Sequence, residues 1–271
     1  MVEKIKKRRY KWWRLLTIGL ITYVLGLVVL VLTQNVNLFP SVVMLGNFLI
    51  PVTYVAFFYE RKTLSNVNMS MTIASFFYGG FLGTFSAAIL EPIFIRNLNF
   101  STSMIVGIIE EFAKILGVLI IFRRRSHDLE LDGLIIGAAA GMGFAALESS
   151  GYAFNVFLKS GGSLSYTVYV TMLRGILSPL GHGTWTAILA CVLFRESNPR
   201  RFRLSLRVIG AYIIVVVLHG LWDGLPSLIE SFTSSAKAVF IGQGIIGVLG
   251  VVILMKLWYQ AKKQARGRVY R

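Results

Sequence analysis

The chain has 271 residues, of which 55% are hydrophobic and 15% charged, against about 25% charged in a typical soluble domain. Its formal net charge of +16 would suit nucleic acid only if the basic residues gathered on one face; they lie instead in the connections between long apolar runs, and no nucleic-acid partner is expected. Cys191 is the single cysteine, which excludes an intrachain disulfide and a thiolate zinc cluster and leaves His and carboxylates as the ligands for any metal.

The first apolar run, from about Trp13 to Thr33, follows the basic stretch Lys4 to Arg14. It is longer than the roughly 7–15-residue core of a signal peptide and no small-residue cleavage site follows, so it reads as a retained span. Further runs follow at about 41–58, 69–91, 101–122, 132–158, 165–194, 206–225 and 237–258. Each is long enough, at about 1.5 Å per residue, to approach or cross a hydrocarbon layer of about 30 Å. The expected fold is therefore all-α: a polytopic membrane bundle of about eight transmembrane helices, one integral-membrane domain over 1–271, placed in the cell membrane and bathed by lipid.

Lys and Arg are distributed unevenly about these spans. With the N-terminus inside, 23 of the 28 fall on the inner side and the outer loops hold Arg96, Lys159 and Lys237. That bias predicts both termini in the cytoplasm, with the basic loops against anionic lipid. His127, beside the inner run Arg123 to Arg125, reads as a solvated loop residue.

A charge at mid-membrane costs at least about 2.5–3.5 kcal/mol on insertion scales, so it persists where it is paired or useful. Such residues gather in the middle four spans: Glu110, Glu111 and Lys114, then Glu148, then Arg174 and His182, then His219 and Asp223. Residues 101–225 are accordingly the expected catalytic four-helix core, with 13–91 and 237–258 as accessory spans. Glu110 and Lys114, four residues apart, share a helical face, whereas Glu111 is turned by about 100°. One acid pairs with Lys114 or Arg174 while the other is left as a general base, and the spacing does not say which.

In the next span Gly133, Gly137, Gly141 and Ala145 recur every four residues, a smooth face for close helix contact that carries Glu148 into the bundle. Pro179, among Gly175, Gly181 and Gly183, should interrupt the following helix just before His182. His219 and Asp223, at i and i+4, share one face, as two metal ligands or as a ligand and its orienting carboxylate. Counting inward at about 1.5 Å per residue puts Glu110, Glu148, Arg174 and His219 about 9–15 Å from the outer boundary, but His182 about 24 Å from it if the helix runs straight.

At these residues the sequence resembles the PrsW family of intramembrane proteases, distant relatives of the CAAX-prenyl-protease and bacteriocin-immunity group. The resemblance is carried by Glu110-Glu111-Phe112-Ala113-Lys114, by Gly141 through Glu148, by Arg174 through His182 to Trp185, and by His219-Gly220-Leu221-Trp222-Asp223. It implies proteolysis of a membrane-anchored protein or peptide. Glu110, Glu111, Glu148 and Arg174 are then the candidate catalytic residues and His182, His219 and Asp223 the candidate metal ligands. Zinc is the metal implied by the His and Glu content, and the prenyl-protease branch, argued to work through glutamate, leaves metallo- and glutamate-type chemistry both open. From the residues alone, a proton- or ion-coupled transporter is the alternative, since buried Glu, Arg and His also form proton relays, although no inverted repeat is visible. A non-catalytic scaffold held by interhelical hydrogen bonds is a third reading.

Overall fold

The structure, a computed structural model, describes residues 11–62, 64–123 and 129–269. The basic residues Lys4 to Arg9, and His127 with Arg124 and Arg125, lie outside the described residues. Every expected span is a helix: α1 Trp12–Thr33, α2 Phe39–Glu60, α3 Met69–Phe94, α4 Phe100–Phe122, α5 Glu130–Lys159, then α6 Leu164–Leu177 and α7 His182–Glu196 in place of one continuous helix, α8 Leu206–Glu230 and α9 Ala236–Val269. Polar residues at the starts set several boundaries. Asn68, Ser163 and Ser205 each accept a backbone N–H from the first turn, and Asn99 with Thr102 forms a reciprocal capping box ahead of α4, satisfying donors that a new helix leaves unpaired.

The chain is a multi-pass membrane protein. Among the described residues seven stretches are long and apolar enough to cross a membrane, with α6 and α7 counted as one. α4 has comparable length but carries Glu110, Glu111 and Lys114 at its centre, and all three are buried among other helices rather than turned outward. α1 is the opposite case, with Ile18, Leu25, Val31 and Leu32 exposed, as suits a helix facing lipid tails.

α5 is the axis of the bundle. Its glycine face meets α7 step for step: a Cβ on Gly133 would lie 2.8 Å from Phe194 Cβ, one on Gly137 2.9 Å from Ala187 Cα, and one on Gly141 2.7 Å from the His182 carbonyl carbon. Backbones this close are open only to glycine, and the four-residue spacing of the face sets the register of α7 against α5. On its other side Gly143 packs on the Phe76 backbone of α3, and Gly80 of α3 on Gly143 in return. α4 and α8 are drawn together in the same way through Gly107 and Gly220.

At the inner end, Arg195 of α7 bonds Glu130 of α5 at 2.6 Å and Gln260 of α9 at 3.0 Å, while Gln264 accepts the Glu130 backbone N–H. These contacts, with Ala261 and Ala265 buried, account for α9 continuing past residue 258, where hydropathy placed the end of the span.

Candidate active site

α4, α5, α7 and α8 each bring ionisable side chains to one buried cluster. Lys114 is its centre. The ammonium donates to Glu110 Oε2 at 3.1 Å, to Glu111 Oε1 at 2.8 Å and to His182 Nδ1 at 3.0 Å, and it sits 3.9 Å above the Phe144 ring. All three ammonium hydrogens are thereby engaged. Lys114 thus pairs with both acids, where the sequence left it with one.

Lys114 dictates the tautomer of His182. Lysine only donates, so His182 Nδ1 is the bare nitrogen; its Nε2 lies 3.1 Å from Glu148 Oε2 and donates to it. His219 is held from the other side: Nδ1 lies 3.0 Å from Glu111 Oε1, and Nε2 faces Glu110 at 3.5 Å and Asp223 at 3.2 Å. Each imidazole is held by a carboxylate behind it and turns its other nitrogen toward Glu110, the arrangement that orients metal-binding histidines, with His182 Nδ1 here accepting from Lys114. Aromatic rings hold both in place, Trp185 stacking on His219 at 4.7 Å and Phe144 meeting His182 edge-on at 5.0 Å.

The two glutamates separate. Glu111 is fully buried and committed, its Oε1 to Lys114 and His219 and its Oε2 to Thr186 Oγ1 at 3.1 Å. Glu110 Oε2, besides its bond to Lys114, faces an imidazole nitrogen on each side, 3.5 Å from His219 Nε2 and 3.9 Å from His182 Nδ1. Arg174 binds Glu148 at 2.6 Å and Ser149 at 3.0 Å and lies over Tyr152, so it braces the acid that braces His182. Glu148→Gln should therefore lower activity about 10–100-fold with the helices still assembled, as steady-state cleavage and thermal unfolding of the variant will show.

His182 is not in a deeper layer. The chain leaves helical geometry through the turn Ser178–Leu180 and Gly181, and α7 restarts at His182, so the straight-helix depth count fails and the imidazole joins Glu110 and Glu148. The carbonyl freed at Pro179 is taken by Thr184 Oγ1 at 2.6 Å. Asp223 lies 3.2 Å from His219 Nε2, with a side chain 31% exposed, on the outward side of the cluster. Thr186, Phe144 and Trp185 support the cluster without being charged, which is why a search for buried charge passes over them. Glu91 of α3, at the edge of a span that reads as apolar, was passed over as well.

The family model for PrsW family intramembrane metalloproteases matches residues 68–258. This chain belongs to that family. It is also 22% identical over 175 residues to Protease PrsW of Halalkalibacterium halodurans, an alignment covering 62% of this chain and 76% of the relative. No solved structure matches. A PrsW-family chain is an intramembrane endopeptidase acting on a protein in the membrane, and the transporter reading gives way to that.

The PrsW classification implies a metal, and the donors present fit one. Glu110, His182 and His219 offer one ligand atom each within 4.8 Å of one another; ligands on a tetrahedral zinc stand about 3.4 Å apart. His219 Nε2 is buried with no hydrogen-bond partner, although acids lie on two sides of it. Glu91, Glu110, Glu111, Glu148 and Asp223 all interact across the cluster, against two permanent cations, Lys114 and Arg174. The cluster thus has more carboxyl groups than lasting cations, the donor set that a divalent ion takes.

Proposed function

We propose that this PrsW-family protein hydrolyses a peptide bond of a membrane-anchored protein or peptide with a water activated by Glu110. The observation that carries this reading is the pair of carboxylate-held imidazoles converging on Glu110 Oε2, with His219 Nε2 at 3.5 Å and His182 Nδ1 at 3.9 Å. Glu110, His182 and His219 are the residues that would hold a zinc-type ion, with Glu110 replacing Asp223 in the ligand set expected from sequence. Bound there, the ion supplies Lewis acidity and a water that ionises near neutral pH.

The protein's own groups do the rest. Glu110 takes a proton from the water as its oxygen attacks the scissile carbonyl, and returns that proton to the leaving amine when the C–N bond breaks. Lys114, held by Glu110 and Glu111 and giving up its bond to His182 Nδ1 when an ion takes that nitrogen, supplies positive charge beside the developing oxyanion. Glu111 and Glu148 hold the imidazoles in orientation, and Arg174 keeps Glu148 in place.

Purified protein should carry about one equivalent of zinc-type metal, and cleavage of a co-reconstituted single-span substrate should be lost on chelation and restored by the metal. Full cleavage by metal-free protein would remove the metal from this mechanism.

A further inference from the structure

A further acid reaches the site from α3, a helix that contributes nothing else ionisable to it. On α3, Gly79, Gly83 and Ala87 are buried at four-residue intervals, and Glu91 is the next position on that face. The glycines bring the backbone in: a Cβ on Gly83 would lie 3.3 Å from Lys114 Cγ and would collide with the Phe144 ring. One turn beyond Ala87, the Glu91 carboxyl comes within hydrogen-bond reach of Glu110, and it interacts electrostatically with Glu148, His219 and Asp223. Its Oε1 is sealed from solvent with no donor to satisfy it. Yet Glu91 is outside the Glu110, His182 and His219 trio, so it is not placed as a ligand.

Two carboxyls at hydrogen-bond range need a shared proton or a common donor between them, and an orphaned buried acceptor asks for a donor. A single water meets both demands. With one O–H directed to Glu91 and the other to Glu110, its lone pairs point away from the acids, as a nucleophile's must. We propose that Glu91 is a positioning residue of the hydrolytic site, holding the nucleophilic water against Glu110 from the outer side. This rests on the protease reading above.

The test is steady-state cleavage, metal content and thermal unfolding of Glu91→Gln and Glu91→Asp in the full chain. Gln keeps the volume but replaces one acceptor with a donor, so kcat should fall about 10–100-fold while KM stays within about twofold and metal content and Tm match wild type. Asp, which keeps the charge, should recover part of kcat. The inference is overturned if Glu91→Gln keeps wild-type kcat, if KM alone rises, or if both variants lose metal or fold in step with activity. A wild-type protein that cleaves beside an unimpaired Glu91→Gln sinks this inference alone; a wild type that cleaves nothing sinks the protease mechanism and this with it.

Discussion

Glu110→Gln should abolish cleavage, by about 10²–10⁴-fold, in a protein that still folds. The amide cannot take the proton of a water, and it offers a weaker ligand on the side facing His182 and His219, so metal content should fall as well. The fold survives because Lys114 keeps its bond to Glu111 at 2.8 Å. Glu111→Gln makes the informative comparison. Glu111 accepts from Lys114, His219 and Thr186 at once, and an amide in its place either turns a donor toward Lys114 and His219 or meets them with a neutral oxygen while its N–H₂ faces the Thr186 hydroxyl, so the charge pairing with Lys114 is lost either way. Breaking a buried ion pair from one side costs about 3–5 kcal/mol, so this variant should lose Tm and activity together. Cleavage, metal analysis and thermal unfolding of the two variants separate the roles. Undiminished turnover by Glu110→Gln would end the case for Glu110 as the acid that meets the water.

Gly141→Val should disassemble the site without touching an ionisable group. A Cβ at Gly141 would lie 2.7 Å from the His182 carbonyl carbon and 2.9 Å from Gly183 Cα, both backbone atoms that no rotamer change can move. α5 and α7 must part, at an overpacking cost of about 1–3 kcal/mol or more, and His182 leaves Glu148 and Lys114 as they do. Gly151, one helix face away with nothing within 4 Å of a built Cβ, is the control: Gly151→Val should keep wild-type Tm. Thermal unfolding and cleavage of the pair decide it, and a Gly141→Val protein as stable as wild type would show that the α5–α7 contact is not what seats His182.

Hydropathy located the helices because the cost of placing a residue in lipid is a property of that residue and its near neighbours. The same local argument singled out Glu110, Glu111, Glu148, Arg174, His182, His219 and Asp223, since an ionisable group in an apolar run is conspicuous wherever its partner lies. Pro179 was legible too, because proline removes a helical hydrogen bond in any context. Glu91 escaped because it sits at the end of its run, where a charge is unremarkable. The four-residue series Gly79, Gly83 and Ala87 was the available signal, and it points at Glu91 only once α3 is known to pack on α4 and α5.

The sequence by itself thus determined that this is a membrane helix bundle with its ionisable residues concentrated in four consecutive spans, and its motifs tied it to intramembrane proteolysis. Only the tertiary structure decided what each residue faces. Lys114 reaching His182 across 68 positions, and Glu111 reaching His219 across 108, orient the two imidazoles and set Glu110 apart from Glu111. Neither distance is encoded in spacing along one helix. Both depend on how glycine faces let α5 meet α7 and α4 meet α8, and on the turn before His182 that resets the register of the chain.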